Sequence, residues 1–95
     1  MVLISEARVA TDRSGRYLVQ LCKHFGHKVT AEWTDERGSV DFGWGTASLR
    51  ADADALVLRA QGHDEESLSR VEQVVGGHFE RFATRDELTA SWVRQ

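Results

Sequence analysis

The sequence predicts an α+β fold, a two-layer sandwich in which two helices cover one face of a mostly antiparallel sheet of four or five strands. Two observations lead to this prediction. Apolar residues recur at every third or fourth position in two stretches and at every second position in the others. Turn-forming sequences separate the alternating stretches in the middle of the chain, as β-hairpins require. The predicted order is β-α-β-β-β-α-β, in a single domain over residues 1–95.

The longest predicted element is a helix from about residue 65 to about residue 83. Its apolar stripe consists of Leu68, Val71, Val75, Phe79 and Phe82. Asp64 is the predicted N-cap, and the acidic residues that follow it suit the positive end of the helix dipole. Gly76 and Gly77 fall inside this helix, where each glycine costs about 1 kcal/mol relative to alanine. The pair therefore indicates either close packing at that point or a bend.

A strand and a shorter helix are predicted to precede it. Alternation over residues 2–11 predicts a strand whose inward face carries Leu3, Ser5, Ala7 and Val9. Thr11 or Asp12 then caps the first helix, and Gly26 ends it. The stripe of this helix consists of Leu18, Leu21, Cys22 and Phe25, with Tyr17 on its flank.

The remaining strands alternate between apolar and polar residues. Residues 28–34 are predicted as one strand, and residues 55–61 are the most apolar strand and the predicted centre of the sheet. Between them, the alternation through Val40, Phe42 and Trp44 changes phase. The glycines of residues 43–45 indicate a bulge or bend there, so this segment counts as one strand or two. The last predicted strand alternates through Leu88, Ala90 and Trp92.

The composition limits the classes of partner and the location. The net charge is −3, and two lysines accompany ten scattered arginines, so a general nucleic-acid binder is not expected. No apolar run reaches the length of a membrane span, and polar residues follow the N-terminus too early for a signal peptide. Cys22 is the only cysteine, which excludes an internal disulfide and favours a reducing compartment. We therefore expect a cytoplasmic protein that binds neither nucleic acid nor membranes.

Three histidines are the candidate groups for metal binding or proton transfer. His24 and His27 form an H-x-x-H pattern at the end of the first helix, and His78 lies at the edge of the stripe of the second. If the two helices pack side by side, His78 approaches that end, and three imidazoles then offer a site for a divalent metal. The alternative is that all three are boundary residues whose nitrogens bond locally.

Basic residues next to these histidines predict an anion-binding group instead. Lys28 directly follows His27, while Arg81 and Arg85 follow His78. The alternative is that the arginines pair on a solvated face with nearby acids, namely Glu80, Asp86 and Glu87. Because positive charge opposes cation binding at close range, the metal and anion hypotheses compete for the same surface. Residues 42–45 add glycines and aromatics that either line a shallow pocket for a planar ligand or pack on the core.

Two groups of motifs carry a family resemblance. Near the beginning they are Ser5-Glu6-Ala7, Arg16-Tyr17-Leu18, Leu21-Cys22-Lys23-His24 and His27-Lys28. Near the end they are His78-Phe79-Glu80-Arg81-Phe82, Arg85-Asp86-Glu87-Leu88-Thr89 and Trp92. In this order, over nearly the whole chain, they resemble a bacterial family known only as domain of unknown function 2218. The family brings no established reaction. Similar domains accompany siderophore-interacting flavin reductases, so the resemblance implies a context of iron acquisition.

Three functions are consistent with the sequence. The first is a non-enzymatic accessory or small-ligand-binding module, for which the resemblance implies a link to iron or siderophore handling. Its candidate binding residues are His24, His27, Lys28, His78, Arg81 and Arg85. The second is a small metal-dependent enzyme that uses the histidine cluster. The third is a homo-oligomeric interaction domain, such as a homodimer, that pairs through an open sheet face or edge. The predicted partner is thus an unidentified small molecule or protein, and the sequence points to no particular cofactor.

Overall fold

Six strands form one antiparallel sheet, with two helices packed against it, in the computed structural model, which describes residues 2–95. The strands are β1 (Leu3–Ala10), β2 (Thr30–Trp33), β3 (Arg37–Asp41), β4 (Thr46–Ala51), β5 (Ala55–Gly62) and β6 (Val93–Arg94). The helices are α1 (Ser14–Gly26) and α2 (Glu65–Phe82), and a short 3-10 helix (Thr84–Asp86) follows α2. The order across the sheet is β2-β3-β4-β5-β1-β6, and every neighbouring pair is antiparallel. The predicted α+β class is confirmed, although the sheet has six strands rather than four or five.

The two longest strands, β5 and β1, are neighbours in the sheet and pair along their whole length. Most residues of β5 are buried, in agreement with its prediction as a central strand. In β1 only alternate residues are fully buried on the helix side, namely Ser5, Ala7 and Val9. This alternation confirms the predicted inward face and shows that the sheet has one covered face and one uncovered face.

Both helices bury their apolar stripes against the same face of the sheet. The buried residues of α1 include Tyr17, Leu18, Leu21, Cys22 and Phe25, and those of α2 include Leu68, Val71, Val75 and Phe79. The strands contribute Ala47, Leu49, Leu56 and Leu58, among others, to the same cluster. Burial of each leucine contributes about 1.5–3 kcal/mol, so this one-sided core holds the two layers together.

Glycines set the distance between the helices and the sheet. A Cβ atom built on Gly38 of β3 would lie 2.6 Å from the Sγ of Cys22 on α1. A Cβ atom on Gly62, at the end of β5, would lie 2.6 Å from the backbone nitrogen of Leu68 on α2. Gly45 approaches a side chain of α2 equally closely. A larger residue at Gly62 would meet the backbone of α2, and one at Gly38 or Gly45 would meet a packed side chain of a helix, so these glycines limit how far each helix lies from the sheet.

The sequence predicts the N-cap residue of α2 correctly and that of α1 incorrectly. The predicted N-cap Asp64 is confirmed, since its carboxylate accepts a hydrogen bond from the backbone N–H of Ser67 at 2.7 Å. The predicted cap of α1 by Thr11 or Asp12 is wrong: Arg13 occupies the N-cap position, and it makes no capping hydrogen bond through its side chain. The Thr11 hydroxyl instead accepts a hydrogen bond from the Arg13 N–H, so it stabilises the turn before the helix.

The bent segment in the middle of the chain consists of two strands. The Phe42 N–H donates to the carbonyl of Gly45 at 2.9 Å, which closes a turn between β3 and β4. Gly43 has a φ of +88° in this turn, a conformation that disfavours other residues. The Asp41 carboxylate accepts a hydrogen bond from the Gly43 N–H. The phase change in the sequence therefore marks a hairpin, and Phe42 and Trp44 lie in its turn rather than in a strand.

The predicted strand through Leu88, Ala90 and Trp92 is wrong in extent. Residues 88–92 are irregular, and β6 consists of two residues that pair with β1. The reason is that this segment bonds to α2 instead of the sheet: the Ala90 N–H donates to the Glu80 carboxylate at 2.9 Å. The indole of Trp92 covers Gly76, where an added Cβ would lie 3.0 Å from its Nε1. Gly76 therefore permits close packing on the helix, and α2 continues without interruption through both glycines.

We predict opposite effects for two glycine substitutions. Gly77→Ala should stabilise the fold by about 1 kcal/mol, because nothing lies within 4 Å of the new Cβ and alanine favours the helix. Gly62→Ala should destabilise it by about 1–3 kcal/mol, because the new Cβ meets helix backbone. Urea denaturation of both variants and the wild type measures this difference. A loss of stability in Gly77→Ala, or none in Gly62→Ala, would contradict the described packing.

Candidate functional site

The structure brings two of the predicted site residues, His24 and His78, into contact. His24 lies in the last turn of α1, and His78 lies in the C-terminal part of α2. Their ring centroids are 4.8 Å apart, with an angle of 40° between the ring planes. The contact exists because α1 and α2 pack side by side on one face of the sheet. His78 is half-buried at this contact, whereas His24 is exposed.

A hydrogen bond sets the orientation of the His78 ring. Its Nδ1 lies 2.7 Å from the carbonyl oxygen of Val74, one helical turn earlier. Since a carbonyl only accepts, Nδ1 carries the proton of the neutral ring and Nε2 is left with the lone pair. His78 therefore combines a locally satisfied nitrogen, as expected for a boundary histidine, with a second nitrogen that is available as an acceptor.

The surroundings of His24 are electropositive. Loss of hydration is the largest cause that lowers the pKa of His24 below its usual value of 6.5. The neighbouring positive charges lower it further, in the order His78, His27, Lys28 and Arg81. Four of the six predicted site residues thus act on His24 through their charge. Such surroundings disfavour an added cation and favour an anion.

A continuous row of rings extends from the histidine pair, and we call it the aromatic row. It consists of His24, His78, Phe25, Phe42 and Trp44. Successive centroids in this row are 4.8–5.3 Å apart, and the rings of Phe42 and Trp44 are stacked. The Cζ of Arg70 lies 4.1 Å from the Trp44 ring centroid. The row therefore ends, on the side away from the histidines, in a cation–π contact. Phe82 adds a further ring, 5.4 Å from His24.

The sequence does not indicate Phe82 or Arg70 as members of this site. It assigns Phe25 to the core, where the structure finds it 6% exposed, and it assigns Phe82 only to the stripe of the second helix. One local signal was present, because Phe82 follows His78 by four residues and therefore lies on the same side of α2. The contact between Arg70 and the turn of residues 42–45 joins distant parts of the chain, so no local pattern indicates it.

The remaining predicted residues lie around the histidine pair or beyond it. His27 is the C-cap residue of α1, and Lys28 follows it; both are exposed. Arg81 is exposed on α2, and Arg85 is exposed in the 3-10 helix. Arg85 is not among the charges that lower the pKa of His24.

Two of the three acids expected to neutralise these arginines, Asp86 and Glu80, are engaged elsewhere. Asp86 accepts a hydrogen bond from the hydroxyl of Tyr17 and pairs with Arg13 at 3.6 Å. Glu80 binds the backbone of residue 90. Across residues 2–95, no carboxylate forms an ion pair with Arg81 or Arg85. The guanidinium groups of both residues are therefore available to an external anion.

The described residues do not complete a metal site. Over residues 2–95, no three side chains of His, Cys, Asp or Glu form a group that could hold a metal ion. The structure brings together the rings of His24 and His78 but does not add His27 as a third ligand. Cys22 is buried, and loss of hydration raises its thiol pKa to about 11. Because metals bind the thiolate, Cys22 is a core residue rather than a ligand.

The fold and these motifs define a small bacterial α+β protein, and comparison identifies its family. The model of the family described as "Uncharacterized protein conserved in bacteria (DUF2218)" matches residues 6–93, so the chain belongs to that family. A similar solved structure is the NMR structure of PA4090 from Pseudomonas aeruginosa, with 37% identity and a TM-score of 0.81. That match covers 96% of this chain and 95% of the other. No curated protein matches the chain. None of the helices in the described part of the chain is long and apolar enough to cross a membrane.

We predict that His24 titrates below pH 6.5, because the causes named above disfavour its charged form. The unfolded chain then binds the proton more tightly than the folded one. His24 therefore costs no stability well above pH 6.5 and costs progressively more as the pH falls through that value. Proton NMR of the ring resonances measures the pKa, and His78→Gln should raise it because one opposing charge is removed.

His63→Gln is the matched control for this titration. His63 precedes the opposite end of α2, roughly 20 Å from His78 at 1.5 Å per residue, so its removal should leave His24 unchanged. A His24 pKa at or above 6.5, or equal responses to both variants, would contradict the described contact.

Proposed function

We propose that this protein is a non-enzymatic module that binds a small aromatic anion along the aromatic row, in support of bacterial iron handling. The observation that carries the proposal is the contact between His24 and His78, at 4.8 Å between ring centroids. This contact joins a chain of ring faces and edges to a group of positive charges. A ligand that is both planar and anionic matches the two features together.

The aromatic part of the ligand is supported by the geometry of the row. Phe42 and Trp44 are half-buried, so their rings keep part of their surface in contact with water. Stacking and edge-to-face contacts with such rings contribute about 0.5–1.5 kcal/mol beyond the burial of area. A planar ligand ring placed against Phe42 and Trp44 adds one more ring to the aromatic row and displaces no core residue.

The negative charge of the proposed ligand is supported by the cations beside the histidine pair, at the other end of the aromatic row. Lys28 and Arg81 are exposed, and both act on His24 through their charge. An arginine guanidinium binds a carboxylate through two parallel hydrogen bonds, which fixes its direction. The Nε2 of His78 faces no protein hydrogen-bond partner over the described residues, so it accepts from a ligand hydroxyl or, once protonated, donates to an oxyanion.

The proposed link to iron joins this chemistry to the family resemblance. Aromatic rings with adjacent hydroxyl and carboxylate oxygens, such as salicylate, are planar anions that also chelate ferric iron. The resemblance implies a context of siderophore-dependent iron acquisition. A binding module for such compounds accounts for both the aromatic row and the positive charge around it. His27 and Arg85 extend the basic rim in this proposal.

The competing proposal, a small metal-dependent enzyme, has less support from the geometry. A catalytic zinc site uses three protein ligands and one open position. His24 and His78 supply two imidazoles, and the neighbouring charges of Lys28 and Arg81 oppose a cation. Homo-oligomerisation through the open sheet face or through a sheet edge stays a prediction.

Titration with salicylate, followed by NMR of the histidine ring protons, tests the proposal. Salicylate should shift the resonances of His24 and His78 saturably at millimolar concentration. Phenol lacks the carboxylate and acetate lacks the ring, so each should bind at least about tenfold more weakly, the equivalent of about 1.4 kcal/mol. Arg81→Gln and Lys28→Gln should each weaken salicylate binding by roughly tenfold, since each removes a charged hydrogen-bond donor.

Arg16→Gln is the matched control for these variants. Arg16 is an exposed arginine on α1, eight residues before His24, and it forms no ion pair over residues 2–95. Its loss should leave the affinity unchanged. The proposal fails if salicylate causes no saturable shift, if acetate binds equally well, or if Arg16→Gln weakens binding as much as Arg81→Gln.

A further inference from the structure

The uncovered face of the sheet carries an arginine-rich depression that the proposed function does not use. Because both helices pack on the other face, alternate residues of each strand point away from them. The register aligns two adjacent rows on this face, which run Arg8–Val57–Arg50–Arg37 and Glu6–Arg59–Ser48–Ser39. Four of these eight residues are arginines, in a chain whose net charge is −3.

A depression of about 240 Å³ lies between these rows. Its polar lining consists of Glu6, Arg37, Ser48, Arg50 and Arg59. Its floor includes Val57, which is only 6% exposed although no helix covers this face. Val57 lies between Arg8 and Arg50 in the strand register, and arginine stems commonly cover an apolar neighbour while their charged ends stay in water.

Two of the three lining arginines lack a carboxylate partner. Arg50 is engaged, because its Nε and Nη2 donate to Asp52 at 3.0 and 3.3 Å. By contrast, no residue of the described chain forms an ion pair with Arg37 or Arg59. These two guanidinium groups stand on opposite sides of β4, on β3 and β5. They are therefore free to converge on one ligand above that strand.

Arg59 supplies the most specific observation. Its Nε–H is buried and has no hydrogen-bond partner over the described residues. A buried donor without an acceptor costs about 1–3 kcal/mol. A ligand oxygen in the depression would satisfy this donor when the Arg59 side chain turns towards the opening. An arginine can present Nε–H and one terminal N–H together as a fork for two oxygens of the same group.

We propose that this depression is a binding site for a phosphoryl oxyanion, held between Arg37 and Arg59. The Ser48 side chain lies directly across from Arg59 on β4 and adds a hydroxyl donor. Glu6 lies across from Arg59 on β1 and contributes one negative charge. Two free guanidinium groups outweigh that charge, and their fork geometry selects a phosphate over a spherical anion such as chloride.

The location of the site on this face follows from the charge distribution. A second depression, of about 410 Å³, adjoins it towards β2 and is lined by Glu32 and Asp41 among other residues. Those carboxylates repel an anion, whereas the arginine end attracts it. A phosphate monoester of a small metabolite would place its phosphate at the arginines and its hydroxyl-bearing remainder over the serines and threonines between the two depressions.

NMR of the arginine side-chain Nε–H groups tests this proposal directly. Inorganic phosphate and glycerol phosphate, added at constant ionic strength, should each shift the Arg59 Nε–H resonance saturably at millimolar concentration. Tighter binding of glycerol phosphate identifies a phosphate ester as the ligand class, and equal binding identifies the phosphate group alone; either result supports the site. Chloride at the same ionic strength should leave the resonance unchanged.

Arginine variants on the sheet face and on a helix distinguish a specific phosphate site from a general effect of positive charge. Arg37→Gln and Arg59→Gln should each weaken phosphate binding by roughly tenfold, through loss of a charged donor. Arg16→Gln on α1 should not change it. Arg37 is exposed, so Arg37→Gln carries the test if Arg59→Gln does not fold. The proposal is overturned if phosphate leaves Arg59 unshifted, if chloride matches phosphate, or if Arg16→Gln causes the same loss.

Discussion

The close approach of both helices to one face of the sheet is the constraint on which the rest of this structure depends. Three glycines permit it, because a side chain at Gly38, Gly45 or Gly62 would meet an atom of α1 or α2 within 2.6 Å. With the helices placed at these points, the last turn of α1 lies beside the C-terminal part of α2. The His24–His78 contact follows from this placement, and so does the exposure of the opposite sheet face.

The same constraint divides the surface into two chemically different parts. The helix layer ends in a group of rings and positive charges that combine residues from α1, α2 and the turn after β3. The uncovered face of the sheet instead carries arginine, serine and acidic side chains, with the buried Val57 among them. In a fold of 95 residues, these are the two surfaces that we propose bind anions, one for planar rings and one for phosphate.

The sequence predicts those features of the fold that local interactions decide. Asp64 caps α2 because its partner, the Ser67 N–H, is three residues away. The prediction fails where a distant group competes. Ala90 binds Glu80 on α2, which removes residues 88–92 from the sheet. At the site, residue type and helical spacing indicate His24 and His78, but the aromatic row and the Arg37–Arg59 pair depend on packing and on strand register. A local pattern contains neither.

The contact between the two histidine rings is the most direct test of the account, because it requires α1 and α2 to lie side by side on one face. Nuclear Overhauser effects between the ring protons of His24 and His78, recorded on the unliganded protein above pH 7, measure it. Clear cross-peaks are expected between these rings, since their centroids are 4.8 Å apart, and between Phe25 and Phe42, at 5.3 Å. Cross-peaks between Phe25 and Phe42 without any between the histidines would show that α2 does not reach α1 as described, and would contradict the account.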